Sequence, residues 1–163
     1  MQTEQDLEKL VRAYTPPLLR YCTALLGSEA DAQDAVQTTF VKAWLHRHRL
    51  RGGGQDNERA WLYRIAYRTA LDMLRAARRA EQRKAPEPPP PPDPGIRESL
   101  RDALGTLEPL DRALVLERVL DGMDYATLAK IHHRPESYLR TRYHRAKGKL
   151  AALLEKEGFC HDT

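Results

Sequence analysis

Five consecutive prolines, Pro88 to Pro92, sit inside the run APEPPPPPDPG at residues 85–95. Proline lacks an amide hydrogen and fixes φ, so this run can be neither helix interior nor central strand. As polyproline II its 11 residues would span roughly 34 Å, at about 3.1 Å each. The run reads as an extended spacer, with an SH3-type ligand as the competing reading. It divides the 163 residues into two small pieces, 1–84 and 96–163, and the hydrophobic fraction of 41% suffices for small cores in both.

The first piece reads as helical throughout. Leu7, Val11, Tyr14, Leu18, Cys22 and Leu25 recur at helical spacing from about Glu4 to Leu26, with a kink or short break expected at Thr15, ahead of Pro16 and Pro17. Gly27 ends this helix, and Ser28-Glu29-Ala30-Asp31 is a capping pattern that starts the next. In that second helix Val36, Phe40, Ala43 and Trp44 form the core stripe, while Asp34, Gln37, Thr38 and Lys42 stay outside. A basic loop follows, His46 to Arg51, and then three glycines, which permit close backbone approach to a ligand. Asp56 or Asn57 is the expected cap of the third helix.

That third helix, Glu58 to Arg79, has no glycine or proline. At about 100° per residue, Trp61, Leu62, Ile65, Ala66, Thr69, Met73 and Ala76 fall on one side. Tyr63, Arg64, Tyr67, Arg68, Leu71, Arg75 and Arg78 fall on the other. A solvated face would alternate Glu with Lys. Arginine mixed with tyrosine instead suits phosphates and unpaired bases. The plainer alternative is a basic amphipathic helix with tyrosine at the core's edge.

The second piece is helical too. One helix is expected from Ile96 to Leu104, stopped by Gly105, and another opens at Pro109 and carries Leu110, Leu114, Leu116 and Val119. Asp124 caps a short helix, Tyr125 to Ile131; a tight turn, His132-His133-Arg134, follows; Pro135 opens a longer helix reaching about Glu157. Short helix, turn and longer basic helix make a helix-turn-helix. In the last helix Leu139, Tyr143, Ala146, Leu150 and Leu153 form one apolar stripe, opposite Arg140, Thr141, His144 and Arg145. A helix that is buried on one side and reads a major groove with the other needs this division.

Charge is segregated. Net charge is −2 over residues 1–45, +7 over 46–84, −5 over 85–125 and +4 over 126–163. Two basic blocks separated by acidic ones imply two polyanion-binding surfaces. Cys22 and Cys160 lie far apart and form no CxxC, which points to a reducing compartment. No signal peptide and no apolar run near ~18 residues is evident, so a soluble, cytoplasmic protein without membrane insertion is expected.

These segments resemble bacterial sigma factors of the extracytoplasmic-function (ECF) type, within the sigma-70 family. DAQDAVQTTFVKAW is similar to that family's polymerase-binding helix, AWLYRIAYRTALDMLR to its promoter-melting helix, and ALGTLEPLDRALVLERVLDGMDYATLAKI with the basic helix after it to its promoter-reading domain. The resemblance implies an all-α fold. A σ2-like bundle (1–84) and a σ4-like helix-turn-helix domain (96–163) would be joined by the proline-rich linker (85–95). It implies an alternative sigma factor, not an enzyme, with core RNA polymerase, promoter DNA and an anti-sigma factor as partners.

Asp31, Asp34, Gln37 and Thr38 would then hold core polymerase. Loop 46–57 would capture a flipped base of the −10 element. The −10 contacts would come from Arg47, Arg49, Arg51, Trp61, Arg64, Tyr67, Arg68 and Arg75, and the −35 contacts from Tyr138, Arg140, Thr141, His144 and Arg145. Three departures stand out. The family usually has Asn at Arg68, glycine plus an aliphatic residue at His133-Arg134, and Gly-Thr-Val at Ser137-Tyr138-Leu139. They motivate an alternative, a sigma-like DNA-binding or adaptor protein that no longer initiates transcription. No cofactor or metal is expected: His46 and His48, His132 and His133, and Cys160-His161 have no zinc-site spacing.

Overall fold

A computed structural model describes residues 3–50, 54–85 and 96–156. The proline run from residue 86 to 95, Arg51, Cys160 and His161 lie outside the described residues. Within them the chain is all-α: α1 (Glu4–Leu26), α2 (Glu29–Leu45), a 3-10 turn (Arg47–Arg49), α3 (Gly54–Arg83), α4 (Ile96–Thr106), α5 (Pro109–Val119), α6 (Tyr125–His132) and α7 (Glu136–Lys156).

Local chemistry sets most helix ends. Thr3 and Asp6 form a reciprocal capping box at the start of α1. Ser28 caps α2 by accepting from the Asp31 amide, and Asp124 caps α6 by accepting from the Thr127 amide at 2.9 Å. Gly27 closes α1 in the left-handed conformation, φ 72°.

Three boundaries differ from expectation. Helix α1 runs through Pro16 and Pro17 without the break expected at Thr15. Interior proline costs about 3 kcal/mol or more. Leu18, Tyr21, Cys22 and Leu25 just beyond are all fully buried, and burying a large apolar side chain is worth about 1.5–3 kcal/mol each. Packing therefore outweighs the two missing amide donors. Helix α3 begins at Gly54, so Asp56 and Asn57 lie inside its first turn. Helix α4 continues past Gly105 to Thr106; Gly105 does not adopt positive φ and gives no stop signal.

The larger difference concerns the two halves. Two separate cores on a tether, with both basic surfaces exposed, are what the sequence predicts. Instead one core cluster runs from Leu18, Tyr21 and Tyr63 through Leu114, Met123, Leu128 and Ile131 to Leu139. Helix α5 packs on α1, and α6 packs on α3. Tyr63, placed on the outward side of α3 by periodicity, is fully buried and meets Tyr21 edge-to-face at 4.9 Å between ring centroids. The C-terminal half covers that side.

Arg112 pins this corner. Its guanidinium donates to the carbonyls of Leu104, Gly105 and Leu107 and, across the junction, to Leu25 at the end of α1. Leu25, Leu104 and Gly105 stand in the last turns of α1 and α4, where carbonyls outnumber in-helix donors, and Leu107 lies in the link between α4 and α5. Burial lowers the Arg112 pKa. Cys22 belongs to the same core, where burial pushes its thiol up to about 12. No described helix is long and apolar enough to cross a membrane.

Candidate nucleic-acid interface

Three faces, two exposed and one half-buried, carry the described residues singled out above. The first is on α2. Asp31, Asp34, Gln37 and Thr38 are all exposed, opposite the buried Ala32, Ala35, Val36, Thr39 and Ala43. Val41 and Leu45, which periodicity left unassigned, continue this face at 59% and 62% exposure. Val41 stands seven residues after Asp34 and three after Thr38, and Leu45 seven after Thr38, so they give a polar strip an apolar floor, as a protein-binding helix requires. Lys42 turns back instead, and its Nζ donates to Thr69 on α3 at 3.1 Å.

The second face is on α3. Trp61, Arg64 and Arg68 line a cavity of about 540 Å³ together with Arg49 and Leu50 from the preceding turn. Trp61 and Leu50 supply apolar surface; the arginines supply cations. Burial and then the adjacent Arg68 lower the Arg64 pKa. Among the described residues no acidic side chain lines this cavity. Cations gathered in a partly desolvated hollow, with no carboxylate beside them, favour an anion. Arg75 and Arg78 continue the basic strip along a neighbouring groove with Tyr67. Arg47 is committed elsewhere: its guanidinium stacks on the Trp44 ring at 4.0 Å and donates to the Trp44 carbonyl at 2.8 Å. It staples the turn to α2.

The third face is on α7. Leu139, Tyr143 and Ala146 are buried, while Arg140, Thr141, His144 and Arg145 are exposed, as the wheel predicts. Arg140 lies over the Tyr125 ring at 4.7 Å, which restrains it while leaving its donors outward. Tyr138 is exposed, and its hydroxyl accepts from Arg142 at 2.8 Å. Arg142 also pairs with Asp111 and, at 2.6 Å, with Glu108. Those partners hold its pKa above the usual arginine value. Arg142 therefore fixes α7 against α5, while Arg140 and Arg145 have no ion-pair partner among the described residues. The turn before α7 holds His133 at φ 53°, ψ 46°, the left-handed region where glycine is usual.

At the junction of the halves lies a polar cluster that periodicity did not reveal. Glu117 is 0% exposed. Its carboxylate accepts from the Tyr21 hydroxyl at 2.7 Å and from His132 Nε2–H at 2.7 Å. The Tyr67 ring meets the His132 ring edge-to-face at 4.7 Å. Burial, then the Glu117 charge, raises the pKa of both tyrosines. A signal existed: Leu110, Ala113, Leu114 and Glu117 share one helical face, so a carboxylate stands on a core stripe. Such a group is retained only when donors meet it.

Two stretches of the chain match known protein families. Sigma-70 region 2 matches residues 10–80, and Sigma-70 region 4 matches residues 97–150. The ECF RNA polymerase sigma factor SigL of Mycobacterium tuberculosis is 30% identical over 150 residues, covering 86% of this chain and 84% of SigL. This chain belongs to the sigma-70 family, in its ECF group. BldN of Streptomyces coelicolor, another ECF sigma factor, is 29% identical over 157 residues, covering 90% of this chain and 59% of BldN. CnrH, solved in complex with the cytosolic domain of CnrY, superposes with a TM-score of 0.69 at 26% identity, over 95% of this chain and 91% of that one. The sigma factor RpoE of Bartonella quintana, solved with the anti-sigma factor NepR, shares the fold, with a TM-score of 0.75 at 22% identity over 93% of this chain and 98% of that one.

As an ECF sigma factor the chain is a transcription regulator that directs RNA polymerase to promoter DNA. The α2 and α3 faces lie in region 2, and the α7 face lies in region 4.

Proposed function

We propose that this sigma factor divides promoter recognition between two surfaces, with the domains bounded at residues 1–84 and 96–163 and the proline run between them as a spacer. The cavity beside α3 carries the reading. It offers Trp61 and Leu50 to an unpaired base and Arg49, Arg64 and Arg68 to the strand's phosphates. Extracting a base costs a few kcal/mol of unstacking. Stacking returns about 1–3 kcal/mol per base, and neutralised phosphates add to that. Tyr67 and Arg75 extend the track, and Arg51, outside the described residues, is assigned to the same element. On α7, Arg140, Thr141, His144 and Arg145 read the −35 element in the major groove, and Tyr138 flanks them. Arg47 serves this surface indirectly, by holding the turn that carries Arg49.

The chain supplies address and strand opening, and the polymerase does the chemistry. An enzymatic role is not part of this reading. Its place of work is the cytoplasm, where core polymerase and promoter meet. An anti-sigma factor is a further partner in this reading; CnrH was solved with a protein partner, the cytosolic domain of CnrY, and the sigma factor RpoE, which shares the fold, with the anti-sigma factor NepR.

The α2 face is assigned to core polymerase. Asp34→Lys is expected to weaken core association about tenfold, as charge reversal inside an interface does. The melting temperature should hold, because Asp34 is exposed. Titration of labelled core polymerase checks this, and unchanged affinity would remove Asp34 from the interface. For the spacer, replacing 85–95 by a Gly/Ser segment of equal length should lower run-off transcription only modestly. Abolished initiation with core binding intact would assign specific contacts to the prolines. Initiation itself is tested by run-off transcription with core polymerase, which separates an active sigma factor from an adaptor that binds but does not initiate.

A further inference from the structure

Tyr125 opens α6 directly after its cap, Asp124. The residue is half-buried, and side chains from α5 and α7 converge on its ring. The Arg118 guanidinium, from α5, lies 4.5 Å from the ring centroid, and the Arg140 guanidinium, from α7, lies 4.7 Å from it. Tyr143, one turn after Arg140, meets the same ring at 6.3 Å between centroids with the planes at 69°. Arg118 is held in turn. Its Nη1 donates to the Met123 carbonyl at 2.8 Å, and its guanidinium lies 5.3 Å from the Tyr143 ring. The Tyr125 hydroxyl is buried and meets no hydrogen-bond partner among the described residues. The contacts of Tyr125 to its neighbours therefore come from the ring.

We propose that Tyr125 is a positioning residue for −35 reading: its ring fixes the plane of the Arg140 guanidinium, and so sets which base edge that arginine pairs with. The proposal rests on the assignment of Arg140 to the −35 element.

A long exposed side chain samples many rotamers, and ordering it at a base opposes binding. Bidentate pairing with guanine also requires the guanidinium plane to align with the base pair. A phosphate contact carries no such demand and no sequence information. A ring against the guanidinium meets both requirements of base reading. It restricts the rotamers before DNA arrives, and it leaves the N–H edge free, because stacking uses the face of the group and pairing uses its edge.

The ring can do this only if it stays in place. Tyr143 packs against it from the buried side of α7, and Arg118 ties it to the end of α5. Arg118 and Arg140 carry like charge at one ring, so the hold on Arg140 is modest. It orders the side chain without competing against a base. Arg145, on the same exposed face, lies over no ring among the described residues. Periodicity places the two arginines together, and the fold separates them.

The test uses the full chain assembled with core polymerase and a library of promoter duplexes randomised across the −35 element. Bound duplexes are recovered and sequenced. Arg140→Ala identifies the position that Arg140 reads, as the one whose base preference disappears. Tyr125→Leu keeps an apolar side chain and removes the ring. It should cut the preference at that same position about fivefold to tenfold. The other positions, and affinity for duplex of unrelated sequence, should hold, since phosphate contacts do not need the ring. Tyr125→Phe should match the wild type. Adding Tyr125→Leu to Arg140→Ala should cause no further loss of preference. A merely structural role would lower binding to all sequences together. Preference unchanged in Tyr125→Leu, or reduced equally at every position, overturns the proposal. Loss of preference in Tyr125→Phe as large as in Tyr125→Leu overturns it too. If Arg140→Ala leaves every position unchanged, the assignment of Arg140 to the −35 element fails beneath it. A second measurement does not depend on the leucine variant folding. In the free wild-type chain the Arg140 Nε–H proton resonance, assigned by its absence from Arg140→Lys, should be displaced upfield by the Tyr125 ring current. A resonance at the position of a solvated arginine overturns the restrained pose.

Discussion

Holoenzyme carrying Tyr67→Ala is expected to bind closed promoter duplex nearly as the wild type does, and to open it about tenfold to a hundredfold more slowly. Tyr67 lies beside Arg64, Arg68 and Arg75 on the basic groove of α3. Its ring gains a base as partner only once that base has left the duplex. Stacking is worth about 1–3 kcal/mol per base, and the loss falls on the opening step. Arg140→Ala should behave in the opposite way. Arg140 is exposed on α7 and restrained over Tyr125. A bidentate contact to guanine carries about 1–3 kcal/mol of discrimination. Its loss should weaken closed-duplex binding and flatten the preference among −35 sequences. Duplex affinities for the native and altered −35 element, measured beside open-complex formation rates, check both. The measurement belongs in the holoenzyme, because in the free chain Tyr67 also contacts His132.

Arg112→Ala should cost about 3–5 kcal/mol of stability. One guanidinium satisfies carbonyls from three positions around the α4–α5 corner and one at the end of α1. Alanine removes all four donations, leaving Leu104 only the bond from the Leu107 amide, and hydrogen bonds to a charged group are worth about 1.5–3 kcal/mol each. For a chain of this size the melting temperature should fall by roughly 10 °C, as read by calorimetry. Arg112→Lys should recover only part of the loss, because an ammonium cannot present the planar fork that reaches several acceptors at once. A drop of only a degree or two with alanine would show that water replaces the guanidinium readily.

What the sequence reveals and what it hides follow from the range of the forces involved. Caps at Ser28 and Asp124, the stop at Gly27 and the start at Pro109 are local, and they stand where the sequence places them. The division of α7 into a buried stripe and an Arg140–Arg145 face is local as well. Continuity of α1 through Pro16 and Pro17 is not, because it depends on what Leu18, Tyr21 and Leu25 pack against. Periodicity states which side of a helix is apolar and never which element covers it. Tyr63 therefore reads as outward from its arginine neighbours, and it is buried because region 4 lies over it. Arg47 reads as one more cation in a basic loop, yet the geometry ties it to Trp44. Glu117 and His132, 15 residues apart, meet only in the folded chain, and Tyr21, 96 residues from Glu117, completes the contact. The cluster could have been suspected from a carboxylate on the stripe of α5. Its partners could not.

The division of labour between regions 2 and 4 is tested most directly by permanganate reactivity of the −10 thymines in holoenzyme–promoter complexes, on duplex and on pre-melted bubble templates. Wild-type holoenzyme should expose these thymines on both templates. Tyr67→Ala should lose reactivity on the duplex and regain it on the bubble, since pre-melting removes the step that the tyrosine assists. Arg140→Ala should lose reactivity on both, because its defect lies in reading duplex upstream of the bubble. Equal loss on the duplex with equal rescue of both variants by the bubble would contradict the assignment of reading to one surface and opening to the other.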